Sequence, residues 1–272
     1  MALVDRGNYK EEEEPFDDFG AILNYLLKLR LPGDKEKDKE FWSFRGQRKE
    51  AWNLSIAHHS ADTLKAEGDD DINGDEYDKL LSQYKKRMLH SREHDYLNEK
   101  SPWWWLFFAK HHNLHTRLLD WTSNPLVAIY LAVENILSNE DDSTGGAVWA
   151  LKVNDKNFRT TGNLVGRYKL DPSSGRTMDE KEWFMINPDP ITQRIVLQSG
   201  KFTYHTGSQP RPIDQMERRP GEELIKIKIS PNGNAGIRKR LGIMNIHHAS
   251  LFPSPTGIAF FVNSEWPVIA KY

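Results

Sequence analysis

The sequence predicts an α+β fold, with an antiparallel or mixed β core and helices leading in the N-terminal half. Helical apolar periodicity dominates the first half of the chain, whereas segments rich in β-branched and aromatic residues cluster in the second half. The two kinds of segment do not alternate regularly, as they do in parallel α/β proteins. At 272 residues and 38% hydrophobic content, the chain can bury one large core or two modest ones.

The helices of the first half are predicted from apolar spacing and from capping residues. Residues 17–29 and 75–97 carry apolar positions at helical spacing. Ser101 followed by Pro102 is typical of a helix start and opens the aromatic run WWWLFFAKHH. Asn113 favours a left-handed end to that helix.

The strands are predicted from β-branched and aromatic residues. The aromatic residues of FWSF, at 41–44, predict the first strand, and residues 116–120 predict another. Further strands are predicted at AVWALKV, RIVLQSG, KFTYH and ELIKIKI, and short helices near 235–241 and 257–262 close the chain. We assign residues 1–40 to a helical and charged lead-in and residues 41–272 to one domain.

Composition and charge exclude several classes of protein. The chain has 37 basic and 39 acidic residues, so its net charge of -2 gives no general attraction to nucleic acid. It contains no cysteine, which excludes disulfides, thiolate zinc sites and a cysteine nucleophile. The acidic N-terminal stretch is not typical of a secretory signal, and no apolar run has the length of a membrane span. We therefore expect a cytoplasmic protein without a membrane partner.

One polar segment lies between a predicted strand and a predicted helix. Asn124 and Pro125 are a good N-cap and first helical residue for the apolar run that follows. Asp120, Thr122 and Ser123 then lie in the turn before the helix, where backbone N–H groups favour anions. The structural alternative is a buried pair between Arg117 and Asp120 together with a helix cap.

Two further polar groups lie on other predicted strands. Arg45 ends the aromatic strand beside Gly46, which lets a ligand approach, and Gln47 follows. In RIVLQSGKF, strand alternation sends Arg194 and Gln198 to one face. We expect these groups and the turn around Asp120 to meet in one pocket.

A metal site is the competing interpretation of the histidines. His90 and His94, with Glu93 beside them, match the H-x-x-E-H pattern of a zinc peptidase helix. On a helical wheel they point away from the apolar stripe, into a solvated face, so we expect no metal there. The sequence contains no glycine-rich dinucleotide fingerprint, phosphate-loop motif or serine elbow.

The motifs together resemble the FRG domain family. The resemblance rests on FRGQ with Trp52, HHNLHTRLLDWTSNPLVAIYLA, AVWAL, RIVLQSGKF and LGIMNIHHASLFPSPTG, which occur in that order over residues 41–257. The TRLLDWT block with its proline is the most specific of them. The order of these strands and helices is in turn similar to that of an ADP-ribosyltransferase fold. In that fold a first strand ends in arginine, a second strand is followed by a Ser/Thr turn and a helix, and a later strand carries Glu or Gln.

That resemblance implies a site and a reaction. Arg45, Gln47 and His112 would hold NAD, Thr122 and Ser123 would shape the nicotinamide pocket, and Gln198 would take the position of the third motif. Breaking the nicotinamide–ribose bond builds positive charge on the ribose, and Gln198 is neutral. Either Asp120 supplies the negative charge, or the enzyme is slow, or the site binds without reacting.

The expected function is that of an enzyme that transfers ADP-ribose from NAD to a protein or nucleic-acid target, which makes the protein a toxin or defence candidate. No metal cofactor is expected. The alternatives are a non-catalytic module that recognises a nucleotide, nucleic acid or sugar, and a metal-dependent hydrolase that uses His90 and His94.

Overall fold

A nine-stranded sheet forms the centre of the computed structural model, which describes residues 3–30, 41–56, 74–90, 100–134, 145–164, 183–206 and 210–269. The strands are β1 (Leu3–Asp5), β2 (Lys10–Glu12), β3 (Phe41–Gln47), β4 (Leu118–Thr122), β5 (Gly146–Val153), β6 (Phe158–Thr160), β7 (Trp183–Asn187), β8 (Gly200–His205) and β9 (Glu223–Ile229). The helices are α1 (Phe19–Arg30), α2 (Gly74–His90), α3 (Pro102–His111), α4 (Pro125–Val133), α5 (Thr161–Asn163), α6 (Gln193–Leu197), α7 (Asn234–Ile243), α8 (His248–Leu251) and α9 (Pro255–Ile269).

The sheet is open and mostly antiparallel. Its strand order is β1-β2-β9-β5-β3-β4-β8-β7-β6, and only the β2–β9 and β6–β7 pairs within it are parallel. β3 and β4 lie next to each other near the middle, where Phe44 pairs with Thr122. This architecture confirms the prediction of a mixed α and β protein with an antiparallel or mixed core.

Helices cover one face of the sheet. On that face α1, α4 and α7 pack on β3, β5 and β9, while α3 and α6 pack on β4, β7 and β8. The opposite face carries a second apolar cluster that includes Trp121, Trp149 and Trp183 and is covered by Leu54 and Ile213. Because successive residues of a strand point to opposite faces, each polar residue of β3 or β4 can be assigned to one of these two sides.

Gly46 allows α4 to lie directly on β3. A Cβ atom at this position would lie 2.0 Å from the carbonyl oxygen of Ala128 and 2.6 Å from the backbone nitrogen of Ala132. Both atoms belong to the backbone of α4, so neither can move aside as a flexible side chain would. The glycine therefore admits a helix, which corrects the expectation that it admits a ligand beside Arg45.

The helix starts predicted from capping residues are confirmed. The Ser101 hydroxyl accepts a hydrogen bond from the backbone N–H of Trp104 at 3.2 Å, and α3 begins at Pro102. Asn113 has φ 62°, as predicted for the end of that helix. The side chain of Asn124 accepts from the backbone N–H of Leu126 at 3.0 Å and caps α4.

Two strand predictions are wrong in position or type. The strand predicted at residues 116–120 lies at Leu118–Thr122, so Trp121 and Thr122 belong to β4 and not to a turn. The strand predicted at RIVLQSG is the short helix α6, whereas the strand predicted at KFTYH is confirmed as β8. The Thr192 hydroxyl caps this helix by accepting from Ile195 N–H at 3.3 Å, and Ser199, with φ 48°, ends it. These local hydrogen bonds override the strand propensity of Ile195 and Val196.

The N-terminal segment is part of the same sheet. β2 pairs with β9, and the Phe16 N–H donates to the carbonyl of Lys228 at 2.9 Å. Ile22 and Leu26 of α1 are completely buried in the core under the sheet. A boundary between a lead-in of residues 1–40 and a domain of residues 41–272 stays a prediction.

Candidate functional site

A pocket lies on the helix-covered face, at the contact between α3, α6 and the strands β4 and β8. Its cavity volume is ≈ 30 Å³, which is room for about two water molecules. Such a space fits one polar group of a ligand, with the remainder lying over the mouth. It is lined by Phe107, Lys110, His111, Asp120, Trp121, Arg194, Ile195, Gln198, Gly200 and Phe202.

The carboxylate of Asp120 is the charged centre of this pocket. Its side chain is 49% exposed, and its Oδ2 lies 3.1 Å from Nζ of Lys110, in the last turn of α3. Burial tends to raise the pKa of Asp120, but Lys110, Arg45 and Arg194 outweigh it and lower the pKa below its ordinary value. Asp120 is therefore ionised at neutral pH, and the three cations leave a net positive charge around it.

Thr122 connects the end of β4 to α6. Its buried hydroxyl donates to the backbone carbonyl of Gln198 at 2.6 Å and accepts from the backbone N–H of Asn124 at 2.9 Å. Beside it, the Ser123 hydroxyl donates to the carbonyl of Ser199 at 3.4 Å. The Thr-Ser pair thus holds the residues around Gln198 against the strand, and the side chain of Asn124 is the one that caps the helix.

Arg45 reaches Asp120 from the other side of the sheet. It pairs with Trp149 across β3 and β5, and Trp149 belongs to the core on the face opposite α4. Its Nη1 donates to the backbone carbonyl of Asp120 at 2.9 Å. The first polar group therefore contacts the segment around Asp120 through its backbone, but Arg45 does not line the pocket, so the expectation that it meets the other groups in one pocket is wrong.

The buried partner of Arg117 is Asp78 of α2. Nε and Nη2 of Arg117 each donate to one oxygen of Asp78, both at 3.1 Å, and the Arg117 side chain is 2% exposed. This bidentate pair replaces the predicted pair between Arg117 and Asp120. Asp120 is left at the pocket with Lys110.

Two other predicted residues lie away from the pocket. Gln47 is buried on the face opposite α4, where its amide donates to the carbonyl of Asn53 at 3.1 Å and accepts from Trp149 Nε1 at 2.7 Å. His112 is exposed at the end of α3, and the neighbouring His111 lines the pocket in its place. Burial, with help from His112 and Arg194, lowers the pKa of His111 to about 4, so this imidazole is neutral at pH 7.

Sequence reasoning missed Lys110 and the aromatic rings of the pocket. Lys110 and Phe107 fall in an aromatic helix that appeared to be core. Arg194 and Gln198 were expected to share a face of a strand, and they share a face of α6 because residues four apart in a helix are neighbours. The signal that identifies Arg194 is therefore its spacing from Gln198.

The described residues offer no support for the zinc alternative. His90 is the last residue of α2, and His94 lies outside the described ranges. Within those ranges, no group of three or more His, Asp or Glu side chains is placed to bind a metal ion.

The fold and the pocket define an α+β protein with a cationic pocket around an ionised carboxylate, beside the central strands of a mostly antiparallel sheet. Residues 40–141, which supply β3, β4 and helices α2 to α4, match the FRG domain family. The chain therefore contains an FRG domain, as its motifs predict. The extension of that domain beyond residue 141 and its relation to ADP-ribosyltransferases stay predictions.

No curated protein and no solved structure gives a significant match to the chain. In the part of the chain that the structure describes, every helix is too short or too polar to cross a membrane.

Proposed function

We propose that this FRG domain binds NAD at the pocket around Asp120 and transfers the ADP-ribosyl group to a protein or nucleic-acid target. The observation that carries the proposal is the ionised, half-exposed carboxylate of Asp120 among three cations. The reaction needs both kinds of charge, because the substrate is an anionic dinucleotide and its reacting ribose becomes positive.

The cations would bind the phosphates of NAD. Arg194 lines the pocket, and its planar guanidinium can bind two phosphate oxygens at once. Lys110 lies beside it as a second cation and can turn from Asp120 to a phosphate oxygen. His111 is neutral at pH 7, so it adds no charge and offers hydrogen bonds. The small cavity would receive one group, with the rest of the dinucleotide over its mouth.

Asp120 would act during cleavage of the nicotinamide–ribose bond. The bond between C1′ of the ribose and the ring nitrogen breaks, and its electron pair leaves with nicotinamide. The carboxylate stabilises the positive charge that develops on the ribose. The nucleophile of the acceptor then bonds to C1′ and gives its proton to water. The rings of Phe107 and Phe202 limit access of water to the pocket, which strengthens these charge interactions.

A second candidate is a module that binds the nucleotide without cleaving it. Lys110 already neutralises part of the charge of Asp120 at 3.1 Å. The neutral Gln198 donates its amide to the carbonyl of Leu251 at 3.1 Å, which favours a structural role. Both features reduce the charge that the pocket can direct at a ribose.

Nicotinamide release from NAD, followed by chromatography, tests the proposal. We expect release by the wild-type protein, a loss of about 100-fold or more in Asp120→Asn, and retained NAD affinity in that variant. Arg194→Ala should weaken NAD binding. Asp5→Asn is the matched control, because Asp5 lies on the edge strand β1. NAD binding without release would establish the recognition module, and absence of both would refute the proposal.

A further inference from the structure

A row of aromatic rings on α3 leads to the pocket and has no role in the binding of NAD proposed above. Trp104, Phe108 and His112 lie four residues apart, so they share one face of the helix. The rings of Trp104 and Phe108 are stacked with centroids 4.6 Å apart, and the rings of Phe108 and His112 also lie 4.6 Å apart. We call these three residues the α3 aromatic row. Trp104 and Phe108 are partly exposed and His112 is exposed.

The row is continuous with the pocket at one end. His112 lies 4.9 Å from His111, measured between ring centroids, and His111 lines the pocket. A ligand stacked along the row would therefore end at His111, at the edge of the pocket. Over the eight residues between Trp104 and His112, the helix advances about 12 Å, which is long enough for more than one stacked ring.

Cations surround the other end of the row. Nζ of Lys100 lies 5.6 Å from the ring centroid of Trp104, and Nζ of Lys85 lies 5.8 Å from that of Trp105. Lys85 belongs to α2, where Lys86 and Arg87 follow and are exposed. The basic end of α2 thus lies beside the start of α3, in a protein whose net charge is -2.

We propose that α2 and α3 form a binding surface for single-stranded nucleic acid, with unpaired bases stacked on the α3 aromatic row and phosphates near Lys85, Lys86 and Lys100. Aromatic rings flanked by cations are the usual means of binding single strands without sequence preference. Because the whole chain has no positive field, attraction of the phosphates depends on these clustered lysines. Where this surface meets the pocket, the bound strand is the acceptor of the transferred group, a role that rests on the proposed function.

Binding of a fluorescein-labelled oligothymidylate of about ten nucleotides, followed by anisotropy without NAD, tests the surface. We expect Trp104→Ala to weaken binding by about 5- to 100-fold and Trp104→Phe to weaken it much less. Trp52→Ala is the matched control, because Trp52 is also partly exposed and lies 5.7 Å from Nζ of Lys49. It should bind as the wild type does.

Salt dependence provides a second readout that does not require the removal of an aromatic ring. Contact with three phosphates predicts a slope of about -2 for the logarithm of affinity against the logarithm of salt concentration. Lys86→Ala, an exposed change, should make that slope shallower by about 0.7. Three outcomes would overturn the proposal of a nucleic-acid surface. They are equal affinities of Trp104→Ala and Trp52→Ala, tighter binding to duplex than to single strand, and equally strong competition by polyglutamate.

The two proposals fail in different ways. A wild-type preparation that releases nicotinamide but does not bind the oligonucleotide overturns the nucleic-acid surface alone. A preparation that binds the oligonucleotide but neither binds nor cleaves NAD overturns the proposed function and the acceptor role, and it leaves the surface in place.

Discussion

Replacement of Asp78 by alanine should destabilise the protein far more than replacement of Asp120. Asp78 neutralises Arg117, whose side chain is 2% exposed, through two hydrogen bonds of 3.1 Å. Asp78→Ala removes the carboxylate that binds this buried guanidinium through two hydrogen bonds, which costs about 3–5 kcal/mol. Asp120 is 49% exposed and pairs with Lys110 at the surface of the pocket, so Asp120→Ala should cost about 0–1 kcal/mol.

Urea unfolding followed by tryptophan fluorescence measures both changes in the free energy of unfolding. Because each variant removes one aspartate, the overall charge of the two proteins is the same and the comparison isolates the location. The expected difference is about 3 kcal/mol. A cost for Asp120→Ala equal to or greater than that for Asp78→Ala would show that the buried pair of Arg117 and Asp78 contributes no more to stability than the pair at the pocket.

Three further predictions concern the supports of the pocket. Thr122→Val should lower the free energy of unfolding by about 1–3 kcal/mol, because two backbone groups lose their hydrogen-bond partner. Thr122→Ser keeps the hydroxyl and should retain most of the stability. Thermal unfolding of the two variants checks this difference. Gly46→Ala should cost at least about 1–3 kcal/mol because its Cβ meets the backbone of α4, whereas Gly236→Ala, which meets no atom within 4 Å, should be tolerated. The folded protein lowers the pKa of His111 from 6.5 to about 4, so as the pH falls the unfolded chain binds the proton first. The free energy of unfolding should therefore fall between pH 6.5 and pH 4. Urea titrations at several pH values should show a smaller fall for His111→Gln.

The parts of the fold that local sequence determines were predictable. The starts of α3 and α4 depend on hydrogen bonds between residues two or three positions apart. Ser101 and Asn124 are residue types that favour such capping bonds, so both starts could be predicted. The β-branched residues of RIVLQ favour a strand, but the side chain of Thr192 caps a helix at this point. The short strands β1, β2 and β6 contain only three residues each, too few for any periodicity to show.

The candidate site was predictable only in outline. Asp120, Thr122 and Gln198 were expected to lie close together; Asp120 and Gln198 line one pocket, and Thr122 bonds to the backbone carbonyl of Gln198. The cations could not be paired correctly, because the partner of a charged side chain depends on how distant elements pack. Arg117 finds Asp78, 39 residues away, and Lys110 finds Asp120 across the gap between a helix and a strand.

A crystal structure of the protein soaked with NAD is the decisive measurement for NAD binding at Asp120, because it shows the pocket and the reacting atoms together. We expect a phosphate oxygen within about 2.7–3.2 Å of Arg194, Lys110 turned away from Asp120, and C1′ of the ribose facing the Asp120 carboxylate. NAD bound at another surface, or an undisturbed pair of Lys110 and Asp120 beside an empty pocket, would disprove binding at this pocket.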